Sequence, residues 1–280
     1  MEKQVESAWI SPTSKRVLFE ARGEIFSVPA QHGVIRNLTQ TPGMAERFPA
    51  WSPDGKRVAY WSDRSGEYEL VVRNEGGSGE ERILTSLGSG FRYQPFWSPD
   101  SKKIAFIDQA VILRLLDIET AEVREIDRGE WISHALLSGF SVSWSSDNRW
   151  LAYARTQYHE TSSHYLYDAR DGEVHQVTSG YYADALPSFD PEGKYLYFLS
   201  NRTLQPVYSD IDNSWAYPNT TNLVAVPLRQ NIASPLQPRN DDEPIEEGSD
   251  REENEGEKGG EEHKPGVPPK SGHPKRLKRP

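Results

Sequence analysis

The sequence predicts an all-β fold, a β-propeller of about five four-stranded blades followed by a disordered C-terminal tail. Three observations support this prediction: a turn motif that recurs at a nearly constant period, short strand-like runs between its copies, and an abrupt change of composition near residue 241. A period of roughly 40 to 50 residues is typical of propeller blades. We therefore expect a propeller over residues 1–240 and a charged linker or tail over residues 241–280.

The repeated turn is clearest between Trp51 and Gly55, where it reads Trp-Ser-Pro-Asp-Gly. Proline presets φ at the second turn position, aspartate bonds back to the backbone, and glycine allows a positive φ. The equivalent positions are separated by 41, 46, 47 and 45 residues, and they are Pro12, Pro53, Pro99, Ser146 and Pro191. The aromatic residue before each turn is expected to end a first strand and to pack between neighbouring sheets. These aromatic residues are Trp9, Trp51, Trp97, Trp144 and Phe189.

The runs between the turns have strand character. Val58 to Trp61 is rich in β-branched and aromatic residues, and Glu67 to Arg73 alternates apolar with charged side chains. Such runs favour half-buried strands. A β-sandwich with similar hairpins is the alternative, but it gives no reason for a fixed period. The fifth copy departs from the pattern, because an insert over 203–221 precedes its third strand and no clear fourth strand follows. The ring therefore either closes with five blades or belongs to a larger ring.

Composition excludes several classes of protein. The net charge is -10, and residues 241–280 contain 12 acidic and 8 basic residues, so the preceding part is mildly acidic. A nucleic-acid-binding domain is expected to be basic. No apolar run of about 18 residues is present to span a membrane, and Met1 to Ile10 lacks an apolar signal segment. The absence of cysteine excludes disulfides, thiolate metal sites and a cysteine nucleophile.

No residue is assigned to catalysis, to a cofactor or to a metal. A Gly-x-Ser-x-Gly elbow is missing, His159 to His164 lacks zinc-site spacing, and Asp210 to Asn213 lacks the pattern of a calcium loop. The basic tip Lys275 to Arg279 is interpreted as part of a solvated linker rather than as a nucleic-acid contact. Six residues before first strands are expected near one mouth of the channel, where they contact a ligand or pack between blades. They are Phe91, Arg92, Tyr93, Tyr181, Tyr182 and Asp184.

Longer runs resemble one family. Val5 to Pro12, Phe19 to Phe26, Phe189 to Arg202 and Tyr217 to Asn219 are similar to segments of tricorn protease homologues. The resemblance covers about residues 5–240, and its long shared runs are more specific than the repeat itself. The repeat alone is also similar to that of TolB-type propellers.

The resemblance implies a segment of a seven-bladed propeller from a large, hexameric serine peptidase. In that family the propellers are not catalytic and are thought to guide peptides, while C-terminal domains, with a PDZ domain among them, supply the catalytic groups. This chain would then lack roughly two blades and the catalytic part, leaving exposed edges at 1–11 and 222–238. Its partners would be peptides, the PDZ and peptidase domains, and further copies of itself.

The same resemblance implies a cytoplasmic location, or a periplasmic one if a leader precedes the chain. The sequence leaves two other functions open. One is a free-standing interaction module similar to TolB, and the other is a propeller hydrolase or lyase with an unrecognised central site.

Overall fold

The computed structural model describes residues 5–76, 79–130, 134–156, 161–208 and 214–237. These residues form five antiparallel sheets of three or four strands, each built from neighbouring segments of the chain, and one two-stranded hairpin. The predicted all-β architecture of successive blades is confirmed. The predicted tail over 241–280 lies outside the described residues, and so do His159 and the segment 210–213.

Four blades have four strands each. Blade 1 contains β1 (Val5–Ile10), β2 (Arg16–Ala21), β3 (Glu24–Pro29) and β4 (Arg36–Asn37). Blade 2 contains β5 (Glu46–Trp51), β6 (Arg57–Ser62), β7 (Glu69–Asn74) and β8 (Arg82–Ile83). Blade 3 contains β9 (Phe96–Trp97), β10 (Lys103–Ile107), β11 (Ile112–Asp117) and β12 (Val123–Arg128). After a one-turn helix α1 (His134–Ser138), blade 4 contains β13 (Val142–Trp144), β14 (Trp150–Thr156), β15 (Ser162–Asp168) and β16 (Val174–Gln176).

Blade 5 is a three-stranded sheet, in agreement with the sequence, which shows no clear fourth strand after the insert. Its members are β17 (Asp184–Phe189), β18 (Tyr195–Asn201) and β21 (Thr221–Pro227), paired in that order. The insert between β18 and β21 carries the hairpin of β19 (Val207–Tyr208) and β20 (Trp215–Ala216). Within the described residues β21 has no outer neighbour. The chain that follows contains Pro235, which has no N–H to donate to a ladder of hydrogen bonds.

The repeated turn has the same geometry in every blade. Residues at one position adopt a positive φ, between 56° and 71°, and they are Ser14, Gly55, Ser101, Asn148 and Gly193. Glycine suits this left-handed region, whereas serine and asparagine adopt it at some energetic cost. Two of the non-glycine residues bind the turn of the preceding blade. Ser101 Oγ accepts from the Asp54 N–H (3.1 Å), and Asn148 Oδ1 accepts from the Asp100 N–H (2.8 Å). These contacts link successive blades at the turn side.

The serine of the turn is held inside the hairpin by the aspartate two residues later. Ser145 donates to Asp147 Oδ1 (2.5 Å) and accepts from the Trp150 N–H (2.8 Å). The Ser145 hydroxyl, with the Arg149 N–H and the Arg170 charge, holds the pKa of Asp147 below its ordinary value against the opposing effect of burial. Ser52 and Ser98 make the same pair of bonds in blades 2 and 3.

Replacing Ser145 with alanine is expected to lower the free energy of unfolding by about 1 kcal/mol, because two hydrogen bonds inside the turn are lost. Urea unfolding followed by circular dichroism measures the change. Ser146 is the matched control, since it is the next residue and is exposed. If the Ser146→Ala variant loses as much stability as the Ser145→Ala variant, the turn does not act as described.

The hydrophobic core lies between blades rather than within one sheet. One cluster joins blades 1 and 2 and includes Leu18, Ile25, Tyr60 and Val71. Corresponding clusters join blades 2 and 3, blades 3 and 4, and blades 4 and 5. Among the described residues, none of the buried clusters joins blade 5 back to blade 1. The five blades therefore form an arc with two end faces.

Two inner tryptophans, Trp51 and Trp97, each bind their blade to the one before it. The Trp51 indole N–H donates to the Trp9 carbonyl (3.3 Å), and the Trp97 indole N–H donates to the Ala50 carbonyl (3.2 Å). The strand register explains this pattern, because Trp9 pairs with Leu18 just as Ala50 pairs with Ala59. The sequence pattern predicted that Trp9 is the counterpart of Trp51, and this prediction is wrong. The counterpart of Trp51 is Ile10, because blade 1 has one additional residue before its turn.

The two end faces are apolar and uncovered. In blade 2, Leu70 is fully buried against blade 3, whereas its counterpart in blade 5, Leu223, is 70% exposed. The register proves the equivalence, because Leu70 pairs with Trp61 and Leu223 pairs with Leu199. At the other end Ile10 is 68% exposed where Trp51 is buried. Among the described residues, no further blade covers either end of the arc.

Candidate functional site

The concave wall of the arc is the first candidate surface. First strands and turns of blades 1 to 4 line an open recess of about 570 Å³. None of its twelve lining residues is charged; they are Trp9, Ile10, Pro12, Ala50, Trp51, Pro53, Pro95, Phe96, Trp97, Val142, Ser143 and Trp144. First strands lie at sheet edges and converge here, so they form the wall that faces the axis. An uncharged wall of this kind suits apolar parts of a flexible ligand and does not suit a phosphate or a metal ion.

The first three predicted mouth residues lie in the seam between blades 2 and 3. Phe91 packs edge-on against Tyr93 (5.1 Å between ring centres) and Phe48 (6.0 Å). Tyr93 is buried, and its carbonyl accepts from the Trp61 indole N–H at 2.7 Å. Interblade packing is the contact that the structure shows for these two rings.

Arg92 is also buried and is held by backbone carbonyls of its own loop. Its guanidinium donates to Gly88 O (2.7 Å) and to Gly90 O. Burial lowers the pKa of Arg92, against the opposing effects of the Glu69 and Asp108 carboxylates. A ligand at this mouth would therefore meet a guanidinium that already donates hydrogen bonds to its own loop. Ligand contact by Arg92 stays a prediction.

The other predicted mouth residues lie between blades 4 and 5 and differ in exposure. Tyr181 is 80% exposed and Tyr182 is 37% exposed, with ring centres 4.9 Å apart. The Arg202 guanidinium lies over the Tyr182 ring at 5.3 Å. Asp184 is buried at the start of β17, so it faces the seam and not the solvent. The two tyrosines thus remain accessible to a ligand.

The insert of blade 5 adds an aromatic surface that the sequence pattern did not predict. Tyr208 and Trp215 pair across the β19–β20 hairpin with ring centres 5.3 Å apart, and both are about half exposed. The base of the insert is fixed by the Asn222 side chain, which donates to Thr203 Oγ1 at 2.7 Å. The Tyr and Trp residues of the insert were the sequence signal for an aromatic surface. The pairing of β19 with β20 could not be predicted, because two-residue strands are too short to show an alternation of apolar and polar residues.

Metal-binding side chains and membrane-spanning helices are two further features that bear on function in the described part of the chain. Among these residues no group of three or more His, Asp or Glu side chains is arranged to hold a metal ion. No helix in the same residues is long and apolar enough to cross a membrane. The recess and the seams between blades therefore remain as the candidate sites.

Comparison with known proteins agrees with this architecture. Residues 5–270 match the family described as the tricorn protease second beta propeller domain. Tricorn protease homolog 1 of Streptomyces coelicolor is 27% identical over 248 residues, which cover 86% of this chain and 22% of that protein. The chain thus spans about a fifth of the length of this curated relative.

Two solved structures share the fold. The crystal structure of the tricorn protease aligns with a TM-score of 0.70 at 19% identity, covering 81% of this chain and 22% of that one. The structure of a putative TolB from Agrobacterium tumefaciens aligns with a TM-score of 0.53 at 18% identity and covers 79% of both chains. Because the family match extends over nearly the whole sequence, the chain belongs to the family of the tricorn protease second β-propeller domain.

Proposed function

We propose that the chain is a non-catalytic propeller segment of a tricorn-like serine peptidase, where it steers peptides and supports assembly with the catalytic part. The observation that carries this proposal is the pair of uncovered blade faces at the ends of an arc that belongs to this family. Such a segment requires neighbouring blades and is built to work inside a larger protein. We place that protein in the cytoplasm, in line with the sequence resemblance.

The support for assembly comes from the faces themselves. Leu186, Leu223 and Ile10 are each more than half exposed at positions that face a neighbouring blade. Exposed apolar patches of this kind mark interaction surfaces. The occupants that we propose are further blades of the same propeller, and the natural ring size that we expect from the resemblance is seven.

The support for peptide steering comes from the inner wall. Its lining is uncharged and rich in tryptophan and proline, and the wall strands present a sheet edge toward the axis. Extended peptides bind sheet edges through main-chain hydrogen bonds and place side chains in apolar pockets. We propose that uncharged peptide segments pass along this wall, and that Tyr181 and Tyr182 contact them at the mouth.

A charge placed on the wall tests this role. Replacing Ile10 with aspartate is expected to weaken binding of an uncharged, apolar peptide by about tenfold, because an unpaired carboxylate facing an apolar partner costs about 1 to 3 kcal/mol. Fluorescence anisotropy of a labelled, unstructured apolar peptide measures the affinity. Val34→Asp is the matched control, since Val34 is 67% exposed, as Ile10 is 68% exposed, and does not line the recess.

Equal binding by wild type, Ile10→Asp and Val34→Asp would contradict peptide passage along the wall. The same protein is expected to show no turnover of fluorogenic peptides, since we assign it no catalytic residue. Hydrolysis by the purified chain that survives repeated purification would contradict the non-catalytic part of the proposal.

The second candidate is a free-standing interaction module similar to TolB. The likeness of fold to the putative TolB structure, which covers 79% of both chains, favours it. Affinity capture from cells expressing the tagged chain separates the two functions. Recovery of PDZ and peptidase domains, in the same polypeptide or in a separate one, supports the peptidase segment. Stable capture of an unrelated protein with no peptidase domain supports the interaction module.

A further inference from the structure

A histidine replaces an aliphatic core residue at the seam between blades 4 and 5. The third strands of blades 1, 2 and 3 place Ile25, Leu70 and Leu113 in this position, and each is almost completely buried. In blade 4 the same position holds His164, which is 0% exposed. The register confirms the equivalence, because His164 N and Leu70 N both donate to a threonine of the fourth-strand segment, Thr178 and Thr85.

The surroundings of His164 are adapted to its ring. The residue opposite on β14 is Ala154, whereas Leu70 faces the much larger Trp61. On the side of blade 5 the imidazole packs against the Phe198 ring with centres 4.7 Å apart. The smaller partner leaves room for the imidazole, so the substitution is accommodated by the local packing.

The seam contains polar atoms without partners. Both ring nitrogens of His164 and Oδ1 of Asp184 are buried and have no hydrogen-bond partner among the described residues. Both residues are at most 1% exposed. They supply three of the eight such atoms in the described chain. Buried polar groups are normally satisfied by protein or by ordered water, so their concentration at one seam calls for a physical explanation.

Few charges face the imidazole. Asp184 on β17 is the one carboxylate that acts on it, and the Tyr153 backbone on β14 also favours the protonated ring. On β18 the neighbour is Phe198, and the Arg202 guanidinium lies over that ring, 5.8 Å from its centre. Desolvation by burial outweighs the favourable contacts, so the pKa of His164 lies below its ordinary value.

We propose that the seam between blades 4 and 5 is an acid-sensitive joint, in which neutral His164 packs against blade 5 through ordered water shared with Asp184, and protonation of His164 loosens blade 5. Blade 5 holds one of the two exposed end faces. Loosening it therefore changes the end of the arc and leaves the three preceding seams closed.

The direction of the pH dependence follows from proton linkage. In the opened seam His164 regains its ordinary pKa of about 6.5, so the open form binds a proton more readily than the closed form. The closed seam therefore loses stability as the pH falls through and below that value. Above it both forms are neutral, and this residue makes no contribution to the pH dependence.

Hydrogen exchange on the full chain at about pH 7.5 and about pH 5.5, corrected for the intrinsic rates, tests the joint. Amides of β17, β18 and β21 are expected to lose protection by about tenfold at the lower pH, relative to amides of β5 to β7. His164→Leu, which restores the residue of blades 2 and 3, is expected to abolish this difference. His175→Leu is the matched control, because His175 lies in the same blade and is half exposed, and it should behave as wild type.

A second measurement does not depend on the variant folding. Nuclear magnetic resonance titration of the wild-type protein is expected to show His164 taking up its proton below the ordinary histidine pKa of about 6.5. The proposal is overturned if His164 titrates at or above that value. It is equally overturned if blade 5 keeps its protection in acid, or if the His164→Leu variant loses protection as wild type does.

Discussion

Replacing Trp61 with alanine is expected to lower the free energy of unfolding by about 3 to 5 kcal/mol, the cost of truncating a fully buried tryptophan. Trp61 is 0% exposed, meets the Phe106 ring edge-on at 5.0 Å, and donates its indole N–H to the Tyr93 carbonyl. All these contacts cross from blade 2 to blade 3. The substitution therefore removes packing and a hydrogen bond from the largest interblade core. Urea unfolding followed by far-ultraviolet circular dichroism measures the loss.

Trp61→Phe separates the two contributions. It keeps most of the ring packing and removes the indole donor, so the expected loss is about 1 to 2 kcal/mol. If Trp61→Ala stays within about 1 kcal/mol of wild type, the core between blades 2 and 3 is not packed as described.

Aspartate substitutions at Leu70 and Leu223 are expected to differ widely in effect. Leu70→Asp places a carboxylate in a dry interblade core and is expected to cost more than about 4 kcal/mol. Leu223→Asp alters the same register position in blade 5, where the side chain is 70% exposed, and is expected to cost less than about 0.5 kcal/mol. Both residues are leucines at the same register position in the third strand of their blades. The difference between the two losses of stability therefore measures whether a neighbouring blade covers the outer face of blade 5.

Thermal unfolding of the two variants beside wild type provides the measurement. Leu70→Ala serves as a milder companion if Leu70→Asp does not fold, with an expected loss of about 2 to 5 kcal/mol. A Leu223→Asp variant as damaged as Leu70→Asp would mean that the ring closes or that blade 5 is covered in solution.

Much of the architecture was predictable because the repeat combines turn chemistry with a fixed period. The prolines at 12, 53, 99 and 191 mark turns that the structure places at equivalent hairpins. The apolar run from Ala110 to Leu116 is typical of a buried third strand, and the structure has β11 at Ile112–Asp117. These features depend on local sequence, which is why pattern and structure agree there.

Other features depend on register or on contacts between distant segments. The additional residue between Trp9 and Pro12 is present in the sequence, but strand pairing is needed to show that it puts Ile10, in place of a tryptophan, opposite Val17. The sequence indicated for His164 only that its spacing from His159 does not suit a zinc site, because a lone histidine carries no signal of burial. Its place in the core follows from β15 beginning at Ser162. The predicted mouth residues include both buried and exposed side chains, and the sequence pattern alone does not separate them.

The central claim is that the chain forms an open arc of blades, and that the apolar faces at its two ends are exposed to solvent. The chain contains no cysteine, so single cysteines report on individual faces without background. In the dilute, monomeric protein, Leu223→Cys is expected to react with a thiol reagent at nearly the rate of an unprotected thiol, while Leu70→Cys reacts at least about a hundredfold more slowly. Equal protection of the two cysteines would contradict the open arc and the role proposed for it.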